Sequence, residues 1–431
     1  MKWLKGAAAL FLCAALAVLT SCTEARELKD VDIVEGLGVD LLPDGEYQAT
    51  YQIFQSQTQT GGENVDILQT SGVNLFDCSR NATVQSGKRL YYSNERALIL
   101  GSAVCRKGLQ PILDFFSRNH ELRMGQRVFM AEGRAADILT AKNPNGVITA
   151  KYLERVAMNE TYNSKIMDMQ LGELMERVAT KSDAVFMPTL IHRNYDPNAN
   201  IFSGSTSSPG ANPGKSGSSS SSGSSSSSSG GGSTSSADSG SGGGGGGSSG
   251  GGGGGSSQDL QTKEVLEVER TAVFNKDVQF ATFMTPNQTR GFLWTRSGAV
   301  GGAIMLTMPN GMKVGVEVKG NSANLTVQPK TYTFDISFRT ALVDVQNSGL
   351  DVTSPTFQKT IVGLQNSEVR HEVQSALDVA FYGGKSDIFR IGTNYFRFRP
   401  DQWRGMMNTW PMSGQNLKPI LNVSSTFTLH D

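Results

Sequence analysis

The sequence predicts an α+β protein made of mixed α/β domains, with a disordered Gly/Ser insertion before the last domain. Three observations support this class. Apolar and polar residues alternate over short stretches such as 31–40 and 420–429, which is typical of half-buried strands. Residues 368–381 have apolar side chains at helical spacing. Residues 203–257 contain 21 glycines and only two apolar residues, too few to form a core.

Composition sets the number of domains and excludes some partners. The chain has 431 residues, of which 49 are glycine and 38% are hydrophobic. Without 203–257 and the first 21 residues, the remainder is about 46% apolar when glycine is counted, an ordinary globular value that predicts two or three domains. The 39 basic and 39 acidic residues give no electrostatic basis for nucleic-acid binding, so no nucleic acid is expected as a partner.

The N-terminus has the pattern of a lipoprotein signal peptide, residues 1–21. Lys2 and Lys5 precede an apolar stretch over 6–19, which is short for a transmembrane helix. Leu19-Thr20-Ser21-Cys22 then places a small residue before a cysteine whose sulfur would carry the lipid. We therefore expect lipidation of Cys22 and attachment to a membrane. An ordinary secretory signal with an incidental cysteine is the alternative.

Two α/β domains are expected between the lipid site and the insertion, at 22–120 and 121–202. The first begins with a hairpin, in which strands at 31–40 and 47–54 flank the turn Pro43-Asp44-Gly45. Gly36-Leu37-Gly38 lacks the third glycine and following helix of a nucleotide-binding loop, so a kinked strand is favoured. The other expected elements are helices at 74–88, 108–116, from 135 to at least 139, and 165–178, and strands at 97–101 and 127–131, with an edge strand at 186–191.

The last predicted domain, 258–431, follows the 203–257 linker. A Gly/Ser coil of this length has an average span of about 40 Å, so this domain would move independently unless an interface holds it. Its expected elements are strands at 265–274 and 278–283, a helix at 286–294, a β-meander over 303–308, 313–318, 323–327 and 331–345, the helix at 368–381 and the strand at 420–429.

No catalytic motif, metal site or cofactor site is expected. The four histidines, His120, His192, His371 and His430, are isolated from one another, and the sequence has no nucleophile elbow or P-loop. Cys78 and Cys105 either pair outside the cytoplasm or remain unpaired, and the sequence leaves both alternatives open.

One segment combines arginines and aromatic residues. Its arginines are Arg390, Arg397, Arg399 and Arg404, and they alternate with Phe389, Tyr395, Phe396, Phe398 and Trp403. Such a segment can bind a polyanion or a lipid headgroup. Arginine stacked on aromatic rings is the interpretation that we favour.

Several stretches together resemble the Ger(x)C lipoproteins, the C subunits of spore germinant receptors. Arg26-Glu27-Leu28 and Ile33 to Asp40 follow the lipid site closely. Further matching stretches are Gly108-Leu109 with Asp114-Phe115, Arg118 and Arg123; Ala272-Val273-Phe274; Thr289-Arg290-Gly291-Phe292-Leu293-Trp294; and Asp387-Ile388-Phe389-Arg390-Ile391-Gly392 with Tyr395, Trp403, Trp410 and Pro411. The insertion 203–257 and the basic, aromatic character of 395–400 depart from the family pattern.

The resemblance implies a fold of three mixed α/β domains and a place on the outer face of the spore inner membrane. It also implies two polytopic receptor subunits as partners and gives no catalytic residues to transfer. The expected function is that of a non-catalytic, lipid-anchored subunit needed for nutrient-triggered germination, with binding of a germinant left open. A solute-binding lipoprotein is the alternative, and a surface hydrolase would need a nucleophile and base that the sequence does not reveal.

Overall fold

A computed structural model describes most of the chain outside the N-terminal leader and the Gly/Ser insertion. The described residues are Trp3, Gly6, 30–55, 64–119, 121–141, 147–159, 162–180, 182–195, 263–298, 301–346 and 351–429. Cys22, the linker 203–257, His120 and His430 lie outside them, as does all of the signal peptide 1–21 except Trp3 and Gly6. The described residues up to 194 and from 264 onward belong to one compact unit, and all that follows concerns this unit.

Within the described residues, the first sheet has nine strands. They are β1 Val31–Leu41, β2 Tyr47–Gln55, β3 Asn64–Gly72, β4 Arg89–Tyr91, β5 Ala97–Leu100, β6 Arg127–Ala131, β7 Phe186–Tyr195, β8 Lys263–Phe274 and β9 Phe280–Met284. Their order is β3-β2-β1-β5-β6-β7-β8-β9, with β4 paired to one end of β1. The β1–β2–β3 strands are antiparallel, whereas β1, β5, β6 and β7 run parallel to one another.

In the part of the chain before β8 that the structure describes, six helices accompany the strands of this sheet. They are α1 Leu75–Ser86, α2 Ser102–Lys107, α3 Gln110–Arg118, α4 Ala135–Thr140, α5 Thr149–Met158 and α6 Leu171–Ala179. The predicted helix at 165–178 is shorter than expected, because 165–170 is not helical. Asn74 begins α1 by accepting a hydrogen bond from the Asp77 backbone, and left-handed Gly87 ends it, close to the predicted bounds.

The glycines of β1 allow helices to approach the sheet closely. A Cβ on Gly36 would lie 2.9 Å from the Ala150 Cβ, and one on Gly38 would lie 3.1 Å from Leu139. The pairing of β1 with β2 is also irregular between Val34 and Gly36. Gly36-Leu37-Gly38 is therefore part of an irregular strand that packs under α4 and α5, which confirms the predicted kinked strand.

The strand predicted at 186–191 is present as β7, but its predicted position at the sheet edge is wrong. Strand β7 lies inside the sheet, with β6 on one side and β8 on the other. The Phe274 N–H at the end of β8 donates to the Val185 carbonyl beside the start of β7 at 2.9 Å. The covering strand comes from beyond residue 257, so the pattern of 186–191 could not reveal it. An interface thus holds the residues before and after the insertion together. Independent motion of the last domain was expected only without such an interface, so it does not occur.

The second sheet has four strands in the order β10-β11-β12-β13, namely Ala303–Thr307, Lys313–Gln328, Thr331–Val345 and Lys418–Thr428. The expected strands 313–318 and 323–327 form one strand, β11, whose pairing shifts between Val318 and Gly320. The antiparallel meander is confirmed for β10 to β12. Strand β13 runs parallel to β12 and so requires a crossover.

The crossover between β12 and β13 is mainly helical. It contains α8 Pro355–Leu377, a π-helical turn Asp378–Gly383, α9 Ile391–Phe398, α10 Pro400–Met406 and two 3₁₀ turns, Met407–Thr409 and Met412–Asn416. The helix predicted at 368–381 in fact begins at Pro355. The prediction missed its first half because the buried face there, Phe357, Ile361, Gln365 and Val369, includes a polar residue and so does not have a continuous apolar pattern. The Gln365 side chain is satisfied by the Thr340 hydroxyl, which donates to it at 2.8 Å.

The remaining helix, α7 Pro286–Leu293, begins at Thr285 with a capping box completed by Gln288 and matches the predicted helix at 286–294. A single buried cluster includes residues from both sheets, such as Leu98 of β5, Phe274 of β8 and Phe334 of β12. The α+β class predicted from the sequence is confirmed.

Candidate functional site

The charged residues of β1 make hydrogen bonds to neighbouring elements. Glu35 is 3% exposed and accepts hydrogen bonds from Asn94 at 2.7 Å and Arg96 at 2.8 Å. Asp40 of β1 accepts hydrogen bonds from the backbone N–H groups of Ala135 and Ala136, at 2.8 and 2.9 Å. Its side chain therefore caps the first turn of helix α4. Burial raises the Asp40 pKa, although these two hydrogen bonds oppose the change. Both acids therefore fix the position of β1.

The 289–294 segment is joined to α8 by a buried ion pair. The Arg290 Nε lies 3.0 Å from both carboxylate oxygens of Glu372, and the Trp294 indole N–H donates to the same carboxylate at 2.9 Å. Gly291 faces the same helix, and a Cβ there would lie 2.1 Å from the Glu372 carbonyl oxygen. A glycine is thus required where α7 and α8 cross.

Residues before the insertion meet the C-terminal family segment at a polar junction, which we define as Asp183, Asp387, Arg390, Thr393 and Trp410. The Asp387 carboxylate accepts from the backbone N–H groups at the start of α9, from Ile391 at 3.1 Å and Gly392 at 2.7 Å. The Trp410 indole N–H lies 3.2 Å from the same carboxylate and 3.1 Å from the Ser182 carbonyl. Trp410 therefore bridges the two sides of the junction.

Asp183 is the second carboxylate of the junction. It accepts a hydrogen bond from the Thr393 hydroxyl and lies 3.4 Å from the Arg390 guanidinium, which also approaches Glu176 at 3.3 Å. The Ala184 N–H donates to the Asp387 carbonyl at 2.9 Å. Burial raises the pKa of Asp387 to about 7, and the negative charge of Asp183 adds to this effect. Two buried acids thus face each other across the polar junction.

Arg177 of α6 reinforces the junction from the N-terminal side. Its guanidinium donates to the carbonyls of Ala184 at 3.2 Å and Ile388 at 3.3 Å, and it lies 4.4 Å from the centre of the Phe186 ring. Burial lowers the Arg177 pKa, while Glu173 opposes that change. A single buried cation thus binds β7, α6 and the segment before α9 together.

Aromatic rings continue this contact into both sheets. Phe186 meets Phe292 at 5.1 Å between ring centres, Phe292 meets Phe389 at 5.2 Å, and Phe389 meets Phe334 at 6.1 Å. The chain of rings runs from β7 through α7 to β12. The family residues Phe292 and Phe389 therefore serve packing between the two sheets.

The segment 390–404, all of it described by the structure, has four arginines, and three of them bond to oxygen atoms. Arg390 meets carboxylates, the Arg399 Nε donates to the Val327 carbonyl at 3.3 Å, and Arg404 pairs with Asp401. In the described part of the chain, none of these arginines stacks on an aromatic ring, so the favoured stacking interpretation is wrong. Phe396 and Phe398 stay 60% and 66% exposed.

A surface cleft of about 860 Å³ lies between α1 and α3 and was not predicted. Aromatic residues Phe76, Tyr92 and Phe115 line it, and the Tyr92 hydroxyl donates to Ser79 at 2.9 Å. Four of its charged residues form two ion pairs, Asp114 with Arg118 and Arg89 with Glu121. Arg80, which also lines the cleft, lies 4.9 Å from the centre of the Phe76 ring. The lining is dispersed over 74–121, so no local motif identifies it.

Cys78 and Cys105 are buried and form no disulfide, which decides between the two alternatives in favour of unpaired thiols. Burial raises the Cys78 pKa to about 11 and raises that of Cys105 further, which keeps both thiols protonated. Among the residues described, no group of three or more His, Cys, Asp or Glu side chains could hold a metal ion. Within the same residues, no helix is both long and apolar enough to span a bilayer.

Two family descriptions match most of the chain. Residues 24–191 match the spore germination protein N-terminal domain, and residues 269–427 match the spore germination B3/GerAC-like C-terminal domain. This chain belongs to the GerAC family of spore germination proteins. The resemblance seen in the sequence is therefore confirmed, and the family is that of the germinant-receptor C subunits.

Relatives and a solved structure agree with this family. Spore germination protein B3 of Bacillus subtilis (strain 168) is 26% identical over 35% of this chain and 42% of its own length. Spore germination protein KC of the same organism is 21% identical over 42% of this chain and 47% of its own length. The chain thus spans about half the length of these curated relatives. The crystal structure of the GerBC protein shares the fold, with a TM-score of 0.50, 14% identity and coverage of 91% of this chain and 96% of that one.

Proposed function

We propose that this GerAC-family chain is a non-catalytic, lipid-anchored subunit of a nutrient germinant receptor, needed for nutrient-triggered germination of spores. The observation that carries the proposal is the use of the charged family residues inside the fold. Arg290 is bonded to Glu372, and Asp387 to the start of α9. Groups held in this way fix elements of the fold and are not directed at a substrate.

Attachment to the membrane is the second part of the proposal. The Leu19-Thr20-Ser21-Cys22 pattern supports acylation of Cys22, including palmitate, after export by the signal peptide 1–21. Two or three acyl chains give stable anchoring, whereas one chain gives only marginal binding. The protein would then lie on the outer face of the spore inner membrane, beside two polytopic receptor subunits that it contacts. Residues 203–257 would form a flexible linker on its surface.

The alternative, a solute-binding lipoprotein, is not favoured. Such proteins have two doubly wound lobes, whereas β8 and β9 join the nine-stranded sheet formed by the residues before the insertion. The second sheet, with its antiparallel β10 to β12, also lacks the repeated parallel order of such a lobe.

The proposal is tested in spores by deleting the gene and, separately, by substituting Cys22→Ala. Both strains should lose most of their germination in response to nutrients and still germinate when the cortex is lysed directly. Cys13→Ala is the matched control, because Cys13 lies in the predicted leader and is removed with it. A normal nutrient response in the deletion strain contradicts the receptor function, and a normal response with Cys22→Ala alone contradicts the need for the anchor.

A further inference from the structure

Three segments meet at one end of the second sheet. The Tyr395 hydroxyl in the middle of α9 donates to the carbonyls of Gln328 at 2.7 Å and Thr331 at 3.0 Å, which flank the turn between β11 and β12. The Lys418 N–H at the start of β13 donates to the Lys330 carbonyl of the same turn at 2.9 Å. The Arg399 Nε, directly after α9, donates to the Val327 carbonyl near the same turn at 3.3 Å, so the end of α9, this turn and the start of β13 lie beside one another.

The surface of these three segments is basic. Lys330, Arg397, Arg399 and Lys418 are all exposed there. In the described parts of the chain, no carboxylate forms an ion pair with any of these four residues. Asp401 is paired with Arg404, and the first acid along β12, Asp335, accepts a hydrogen bond from Asn422. The four positive charges are thus not neutralised by a carboxylate, although the Arg399 Nε donates to the Val327 carbonyl.

Two phenylalanines project from the same surface. Phe396 is 60% exposed and Phe398 is 66% exposed, on either side of Arg397. The neighbouring aromatic residues, Tyr395 and Trp403, are buried. Cations that flank exposed aromatic rings match the interface of an anionic bilayer, where charges meet headgroups and rings enter the acyl boundary.

We propose that Lys330, Phe396, Arg397, Phe398, Arg399 and Lys418 form a docking surface for the anionic phospholipid headgroups of the membrane that holds the anchor. These residues alone would recognise the headgroups. The proposal rests on the proposed function only in that the lipid anchor brings this surface to a bilayer. Each basic residue near an anionic leaflet increases the docked-to-undocked ratio by about five-fold. The surface thereby fixes which end of the second sheet faces the membrane.

The opposite end of the same sheet provides an internal control. Phe357, near the start of α8, packs on Phe427 near the end of β13, with 6.3 Å between ring centres. Strand β13 runs from Lys418 to Thr428, so the two ends lie about 30 Å apart. Thr356 and Lys359 are exposed at that far end. They should stay in water when the basic and aromatic surface docks.

The test uses the full chain, produced in its host and reconstituted in vesicles of phosphatidylcholine with or without phosphatidylglycerol. An environment-sensitive dye is attached at Gln328→Cys in the turn or at Thr356→Cys as the control. Cys78 and Cys105 are fully buried and do not compete for the dye. We expect a blue shift at position 328 on phosphatidylglycerol vesicles only, reversed by salt, and no shift at position 356. Lys330→Gln should lower the docked-to-undocked ratio about five-fold, whereas Lys359→Gln should not change it.

Three outcomes overturn the docking proposal: no shift on phosphatidylglycerol vesicles, equal shifts at both positions, or a shift that requires added receptor subunits whatever the lipid. The last outcome makes the surface a protein contact. Flotation with pure phosphatidylcholine vesicles reports the lipid anchor separately. A chain that does not float but still shows the shift at position 328 supports the docking surface and contradicts the anchor.

Discussion

Arg290 and Glu372 form a bidentate ion pair that is almost completely buried between α7 and α8, with side chains 7% and 2% exposed. Trp294 donates to the same carboxylate, so one acid receives hydrogen bonds from both ends of the 290–294 family segment. The pair therefore holds α7 and α8 together in the C-terminal half of the fold.

Removing the carboxylate charge should therefore destabilise the protein strongly. Glu372→Gln leaves the buried Arg290 guanidinium without its counter-charge, and we expect the free energy of unfolding to fall by about 3–5 kcal/mol. Urea denaturation measures this change. The matched control is Glu317→Gln, which removes the acid of an exposed pair with Lys319 and should cost less than about 1 kcal/mol. Similar losses in the two variants contradict the assigned role.

Two glycines of the same helices, one at their crossing and one exposed, should respond in opposite ways to substitution by alanine. Gly291→Ala places a Cβ against the Glu372 backbone and should destabilise the fold by about 1–3 kcal/mol. Gly363→Ala, in an exposed position within α8 with no atom near its added Cβ, should stabilise by about 0.5–1 kcal/mol. Thermal denaturation of both variants tests this, and a stabilising Gly291→Ala refutes the close crossing.

The polar junction makes stability depend on pH. The folded-state pKa of Asp387 is about 7, above its ordinary value of 3.8, so the folded protein holds this proton more tightly than the unfolded chain does. Its stabilising effect is complete below about pH 4 and is lost as the pH rises through 7. The loss amounts to about 4 kcal/mol.

Asp387→Asn should remove this part of the pH dependence. Burial also raises the pKa of Asp40 and Glu95, so the difference between variant and wild type isolates Asp387. The measurement is the free energy of unfolding in urea between about pH 4 and pH 8. Asp401→Asn, a substitution at an exposed acid, should keep the wild-type slope. Equal slopes for wild type and Asp387→Asn would disprove the prediction.

Cutting the insertion should not separate the two parts of the chain. A protease site introduced within 203–257 divides the sequence between β7 and β8, yet these strands pair and the polar junction joins both sides. The two fragments should therefore elute together in gel filtration and separate only in denaturant. Separation under native conditions contradicts the shared sheet, and the uncut protein is the control.

Local patterns predicted the elements and missed how they combine. The alternation in β1, β2 and β13 and the cap of α1 were sufficient to predict those elements. Strand β3 was missed because most of its side chains are exposed or half-buried, which leaves little alternation to detect. Helix α5 was missed although its buried residues Thr149, Ala150, Leu153 and Ala157 lie on one helical face.

The polar junction could not be predicted from local patterns at all. Thr393 bonds to Asp183, 210 positions earlier in the chain, and neither segment carries a signal for the other. The family resemblance indicated that residues 387–411 matter, whereas only the structure shows that they bind residues 177–186.

We propose that this chain works as a subunit of a germinant receptor in the spore membrane. Affinity purification of the full chain from detergent-solubilised spore membranes, with mass spectrometry of the product, tests it most directly. We predict that two polytopic membrane proteins copurify in comparable amounts and that Cys22 carries a diacylglycerol. Recovery of the chain alone, with Cys22 unmodified, would contradict the account.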